Sequence, residues 1–134
     1  MLIEEQKKVA DKAIRALNAG TPQTDLYCPD ATHWTPRMGV RTMPQMQQMV
    51  AAVLDKFTTG INLNVRSITA EDNRVIIEAK GNATLKNGGP YENDYCFVVE
   101  FDGELIRAVR EYNDARKAEA ALGKISDPIP RIAR

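Results

Sequence analysis

The sequence predicts an α+β domain in which a curved antiparallel sheet is covered by helices. Two observations predict it. Apolar residues recur with a helical period up to about residue 60, and from residue 61 onward they alternate with polar ones in segments joined by tight turn signals. With 134 residues, 43% hydrophobic and 27% charged, the chain can bury one core without disulfides or metal.

Residues 3–19 read as a helix, with Val9, Ala13, Ala16 and Leu17 on one face and Lys7, Lys8, Asp11 and Lys12 on the other. Gly20 closes it and Pro22 prevents its continuation. Asp25 to Asp30 read as a helical turn leading into a brief strand, Thr32 to Thr35, which Pro36 ends. A second helix opens with Thr42 and Gln45 at capping-box spacing and Pro44 in its first turn. Met46, Met49, Val50, Val53 and Phe57 make its apolar stripe, up to Gly60.

Ile61, Leu63 and Val65 then alternate with polar residues. The turn Glu71-Asp72-Asn73 precedes a strand over residues 75–85, with Gly81 where a bend is cheap. After Asn87-Gly88-Gly89-Pro90, a strand puts Tyr91, Asn93, Tyr95, Phe97, Val99 and Phe101 on one face. Asp102-Gly103 is a hairpin signal, and the last strand, Leu105 to Tyr112, leads into a short helix closing at Leu122-Gly123. Residues 1–123 thus form one domain, and residues 124–134, with Pro128 and Pro130, an extended tail.

Composition excludes several functions. Eighteen basic and eighteen acidic residues balance, so no charge draws the chain to nucleic acid or an anionic membrane. No apolar run approaches the roughly 18 residues of a membrane helix, and the N-terminus is charged where a secretion signal is apolar. One histidine and two cysteines fall short of the about four ligands of a zinc site, so no metal and no cofactor are expected. Cys28 and Cys96 offer no disulfide framework, which points to the cytoplasm.

The element order, Tyr27-Cys28-Pro29-Asp30 before a strand, and the run from Tyr91 to Asp114 (Tyr-x-Asn-x-Tyr, then Asp-Gly, then Arg-Glu-Tyr-x-Asp) resemble the SnoaL-like and ketosteroid-isomerase-like branch of the nuclear transport factor 2-like superfamily. The resemblance implies a cone-shaped α+β barrel, commonly a homodimer, around a mostly apolar cavity. It does not imply one reaction. Where ketosteroid isomerases carry an aspartate, a tyrosine and a protonated aspartate, this chain has Thr35, Ala13 and Phe97. The Arg-x-Asp of limonene epoxide hydrolases is likewise missing between Val75 and Thr84, although Glu111 matches their second acid.

Candidate site residues follow from the remaining polar groups. His33, which shares a face with Ala31 and Thr35, is the one side chain suited to proton transfer near neutrality, or else a space-filler beside Trp34. Tyr95, with Asn93, can donate hydrogen bonds to a developing oxyanion, or pack as core. Glu111 is a candidate general acid or base; Asp114 stands near the site or caps the last helix. The turn after Gly103 reads one residue longer than in relatives, and a one-residue shift swaps the faces of Glu111 and Arg110, so both remain candidates. Trp34, Met49, Phe57 and Phe97 are expected to line the cavity, with Arg37, Arg107 and Arg110 as candidate anchors if the substrate carries a negative charge. The expected function is cofactor-independent acid–base catalysis by His33, Tyr95 and Glu111 on a small apolar carbonyl, hydroxy or aromatic compound, as a lyase, dehydratase, cyclase or isomerase. The alternative is a non-catalytic binding or dimerisation module of the same fold.

Overall fold

The computed structural model describes residues 1–123; the expected tail at 124–134 lies outside the described residues. Helix α1 (Ile3–Asn18) buries Ala10, Ala13, Ile14 and Leu17. It ends as predicted: Gly20 takes a positive φ of 84°, its N–H bonds Leu17 O, and Thr21 N–H bonds Ala16 O. A 3-10 turn (Thr24–Leu26) leads into strand β1 (Tyr27–Thr35).

Six strands form one curved sheet in the order β2-β1-β6-β5-β4-β3, with β2 Gly39–Thr42, β3 Asn62–Glu71, β4 Arg74–Thr84, β5 Pro90–Asp102 and β6 Leu105–Asn113. The meander from β3 to β6 is antiparallel as predicted, whereas β1 joins β6 in parallel. Helix α2 (Met43–Leu54) packs on β1 and β2, α1 on β3 and β4, and α3 (Ala115–Leu122) on β5. The expected face of β5 is buried throughout, from Tyr91 to Phe101. Each large aliphatic or aromatic side chain placed there contributes about 1.5–3 kcal/mol.

Three local expectations are corrected. Strand β1 begins at Tyr27, five residues early, because its register against β6 slips between Tyr27 and Thr32, and the slipped segment accommodates Pro29 without a ladder N–H. Strand β2, absent from the sequence reading, forms because the chain reverses after Thr35 through a turn in which Gly39 adopts φ 69°. Phe57 does not belong to α2: the helix stops at Leu54, and Phe57 instead forms a β-bridge with Leu85. The capping box at its other end is as expected, with Gln45 N–H donating to Thr42 Oγ1 at 3.2 Å and Thr42 N–H to Gln45 Oε1 at 3.0 Å.

Candidate functional site

Between the sheet and the helices lies a cavity of about 100 Å³. Its walls are mostly apolar: Met46, Met49, Val50, Val53 and Leu54 of α2, Ile61, and Ala118 and Leu122 of α3. Polar groups enter from the sheet, namely Tyr91 and Tyr95 of β5 and Glu111 and Asn113 of β6, and from Asn18 at the end of α1. Thr35, Arg37 and Met38, from the end of β1 and the turn after it, complete one rim.

Glu111 reaches this wall because of a bulge. Glu100 pairs with Ala108 but Phe101 pairs with Ile106, leaving Arg107 as an extra residue on β6. Ile106 and Val109 therefore both point inward, and the alternation that follows turns Glu111 in and Arg110 out. The ambiguity between those two side chains is thereby settled. Arg110 does not reach the cavity. On the opposite face its Nη2 lies 3.0 Å from Glu100 Oε1, while Arg107 donates to Glu100 Oε2 at 2.8 Å. The Arg107 bond, helped by Arg110, holds the Glu100 carboxyl below the usual carboxylate range against a smaller effect of burial.

Both oxygens of Glu111 are held. His33 Nε2 lies 3.1 Å from Oε1, and Asn113 donates to Oε2 at 3.0 Å. With the carboxylate ionised, Nε2 is the donor. His33 is fully enclosed behind Glu111, on the face it shares with Ala31 and Thr35, and its Nδ1 meets no hydrogen-bond partner among the described residues. Arg41 of β2, also buried, stands directly across from His33 and donates through Nη1 to Met38 O.

The second polar group is a pair of phenols. Tyr91 and Tyr95 hydroxyls lie 2.8 Å apart. Asn93, wholly buried between them on the strand, donates from Nδ2 to Tyr91 Oη at 2.9 Å. Burial pushes the Tyr95 phenol far up, and its neighbours Tyr91 and Glu111 push it in the same direction. Tyr95 also stacks on Phe97, with ring centres 5.6 Å apart and planes 2° from parallel. Its ring explains Gly81 on β4: a Cβ there would stand 2.6 Å from Tyr95 Cε2. The sequence reading gave this glycine to sheet bending, but its observable role is room for the ring.

The structure thus brings His33, Tyr95, Glu111 and Met49 to one cavity, with His33 a layer behind the wall. Phe97 and Asn93 support it from behind. Phe57, expected on the wall, packs behind Tyr91 with ring centres 5.4 Å apart. Trp34 is turned to the outer sheet face, edge-on to Tyr112 at 5.2 Å, because β1 alternates and His33 takes the inner side. Asp114 caps α3, accepting from Arg116 N–H at 2.9 Å and Lys117 N–H at 3.4 Å. Sequence reasoning passed over Asn113 and gave Tyr91 no role of its own. The Tyr91-x-Asn93-x-Tyr95 alternation and the two-residue step from Glu111 were the signals for them.

Among solved structures, the chain is similar to AclR from Streptomyces galilaeus (19% identity, TM-score 0.78, covering 92% of this chain and 99% of that one). It is also similar to BvnE pinacolase from Penicillium brevicompactum (19%, 0.75, 87% and 88%) and to a nuclear transport factor 2-like protein from Anabaena variabilis (23%, 0.71, 85% and 93%). At such identities these likenesses establish the nuclear transport factor 2-like fold and nothing finer. No curated protein matches the sequence. The model of the SnoaL-like domain matches residues 10–109, and the chain belongs to that family.

Proposed function

We propose that this chain is a cofactor-independent acid–base enzyme acting on a small, largely apolar carbonyl, hydroxy or aromatic compound, in a lyase, dehydratase, cyclase or isomerase step. One observation carries the reading: a carboxylate tied to a buried imidazole shares an apolar cavity with two hydrogen-bonded phenols. Glu111 takes a proton from the substrate, and His33, donating through Nε2, holds the carboxylate in place. The phenol pair donates to the oxygen on which charge builds, where an apolar surround strengthens each hydrogen bond. Side chains supply every proton donor and acceptor, so the proposal needs no cofactor. An apolar cavity of roughly 150 Å³ holds one benzene ring, so a cavity of about 100 Å³ limits the buried part of the substrate to no more than a single ring or a short branched chain.

The test is a thermal-shift panel of single-ring carbonyl and phenolic compounds, followed by product analysis of the hits. Glu111→Gln, His33→Ala and Tyr95→Phe should each lower turnover at least about tenfold while the fold persists. A hit that binds and is recovered unchanged favours the alternative, a non-catalytic binding module. The same proposal takes a homodimer in the cytoplasm as the working form. The half-exposed patch of Trp34, Ile76, Val98 and Tyr112 on the outer sheet face supports the first part, and the free thiols of Cys28 and Cys96 support the second. Sedimentation velocity decides the dimer.

A further inference from the structure

We infer that Tyr91, rather than Tyr95, is the phenol that gives its proton to a bound oxyanion, and that Asn93 and Tyr95 are positioning residues acting through it. The inference rests on the reading above and assigns a role inside it. It begins with the orientation of one amide. Asn93 faces the backbone of Asp114 with both its polar atoms: Oδ1 accepts from Asp114 N–H at 3.0 Å, and Nδ2 donates to Asp114 O at 3.0 Å. A backbone N–H can only donate and a carbonyl can only accept, so the amide has one possible orientation. The remaining Nδ2 hydrogen points to Tyr91 Oη, 2.9 Å away.

Tyr91 Oη is therefore an acceptor before any ligand arrives. Once it loses its proton it accepts from two donors, Asn93 Nδ2 and Tyr95 Oη. A Tyr95 phenolate would have one, the Tyr91 hydroxyl. The group whose anion is better held is the stronger acid and the stronger hydrogen-bond donor. Burial raises both phenols. At Tyr91 the bonds from Tyr95 and Asn93, together with the Arg37 charge at the rim, oppose that rise, while Glu111 adds to it. At Tyr95 every neighbouring effect, from Tyr91 and from Glu111, adds to it.

The proton balance is simple. Glu111 receives the proton leaving the substrate, the electron pair moves onto the substrate oxygen, and that oxygen takes the Tyr91 proton. The negative charge finishes on Tyr91 Oη, between Asn93 and Tyr95, until Glu111 or solvent returns a proton.

Tyrosine ionisation tests this without a substrate. The four tyrosines are replaced throughout by 3-fluorotyrosine and titrated by fluorine NMR, with resonances assigned from single Tyr→Phe variants. Tyr91 should ionise at lower pH than Tyr95, and both Asn93→Ala and Tyr95→Phe should weaken its acidity by about tenfold or more, the effect of one lost bond to a charged oxygen. A merely structural role for either residue would not move that midpoint. Should Asn93→Ala fail to fold, because it also anchors Asp114, Tyr95→Phe carries the test. Ionisation of Tyr95 first, or a Tyr91 midpoint unmoved in either folded variant, overturns the inference. A protein with the expected order that turns over none of the panel compounds would keep this donor assignment and lose the catalytic reading.

Discussion

Gly81→Ala tests the cavity wall from the outside. The new methyl would lie 2.6 Å from Tyr95 Cε2, 3.2 Å from Cδ2 and 3.0 Å from Ile61 Cγ2. Carbon atoms in contact prefer about 3.5–4.0 Å, so the ring must retreat by roughly 1 Å. It has little freedom to do so: Phe97 lies flat against it, and its hydroxyl is held 2.8 Å from Tyr91. Overpacking of this kind costs about 1–3 kcal/mol. For a chain of this length that corresponds to a fall in Tm of roughly 3–15 °C. The mechanism is checked by a double-mutant cycle with Tyr95→Ala, measured by urea unfolding. With the ring gone, the Ile61 methyl is what remains of the three nearest contacts, and the ordinary gain of about 0.5–1 kcal/mol from replacing a strand glycine offsets it. The coupling between the two substitutions should exceed about 1 kcal/mol. Effects that add within roughly 0.5 kcal/mol would refute the claim that the Tyr95 ring is why this position is glycine.

Two further outcomes are expected. The Tyr27 hydroxyl is buried with no hydrogen-bond partner among the described residues, so Tyr27→Phe should stabilise the protein by about 1 kcal/mol at neutral pH in urea unfolding. Burial also pushes that phenol up to about 12. Unfolded tyrosine ionises near pH 10, so the wild-type protein has the full benefit of its neutral Tyr27 below about pH 10 and loses it as pH rises toward about 12; the variant should show a shallower alkaline decline, and its advantage should widen, over that window. Asp114→Ala removes the cap of α3, which should cost about 1 kcal/mol and fray the helix supplying Ala118 and Leu122 to the cavity. Amide hydrogen exchange should accelerate within residues 115–122 and remain unchanged in β4.

What the sequence disclosed about this molecule is what local chemistry decides. Thr42 and Gln45 specify a helix start whatever surrounds them, and alternation along Tyr91 to Phe101 fixes one buried face over the whole strand. Glu111 could not be separated from Arg110 because their facing depends on the bulge at Arg107, which exists only through pairing with Phe101 and Glu100 on another strand. Strand β2 is four residues long, too short to show a period, and forms by pairing with β1. Trp34 is the instructive miss. Expected to line the cavity, it lies on the other face, where parity with His33 already placed it; in a strand the alternation decides the face.

The division of labour in the cavity follows from the same physics. His33, Tyr91, Tyr95, Glu111 and Asn113 all stand on β1, β5 and β6, central strands held by ladder bonds on both sides. Polar atoms that must meet within a few tenths of an ångström are best carried on such a backbone. The helices α2 and α3 add only apolar side chains to the wall, and methionines such as Met46 and Met49 adapt to ligand shape without needing fixed partners. Substitutions in α2 and α3 can therefore resize the cavity and leave the polar groups of the sheet in place. On the proposed reading, a shared backbone at 19–23% identity leaves the compound open, the identity of a substrate is to be sought in the α2 wall, and the type of chemistry is to be sought on the sheet.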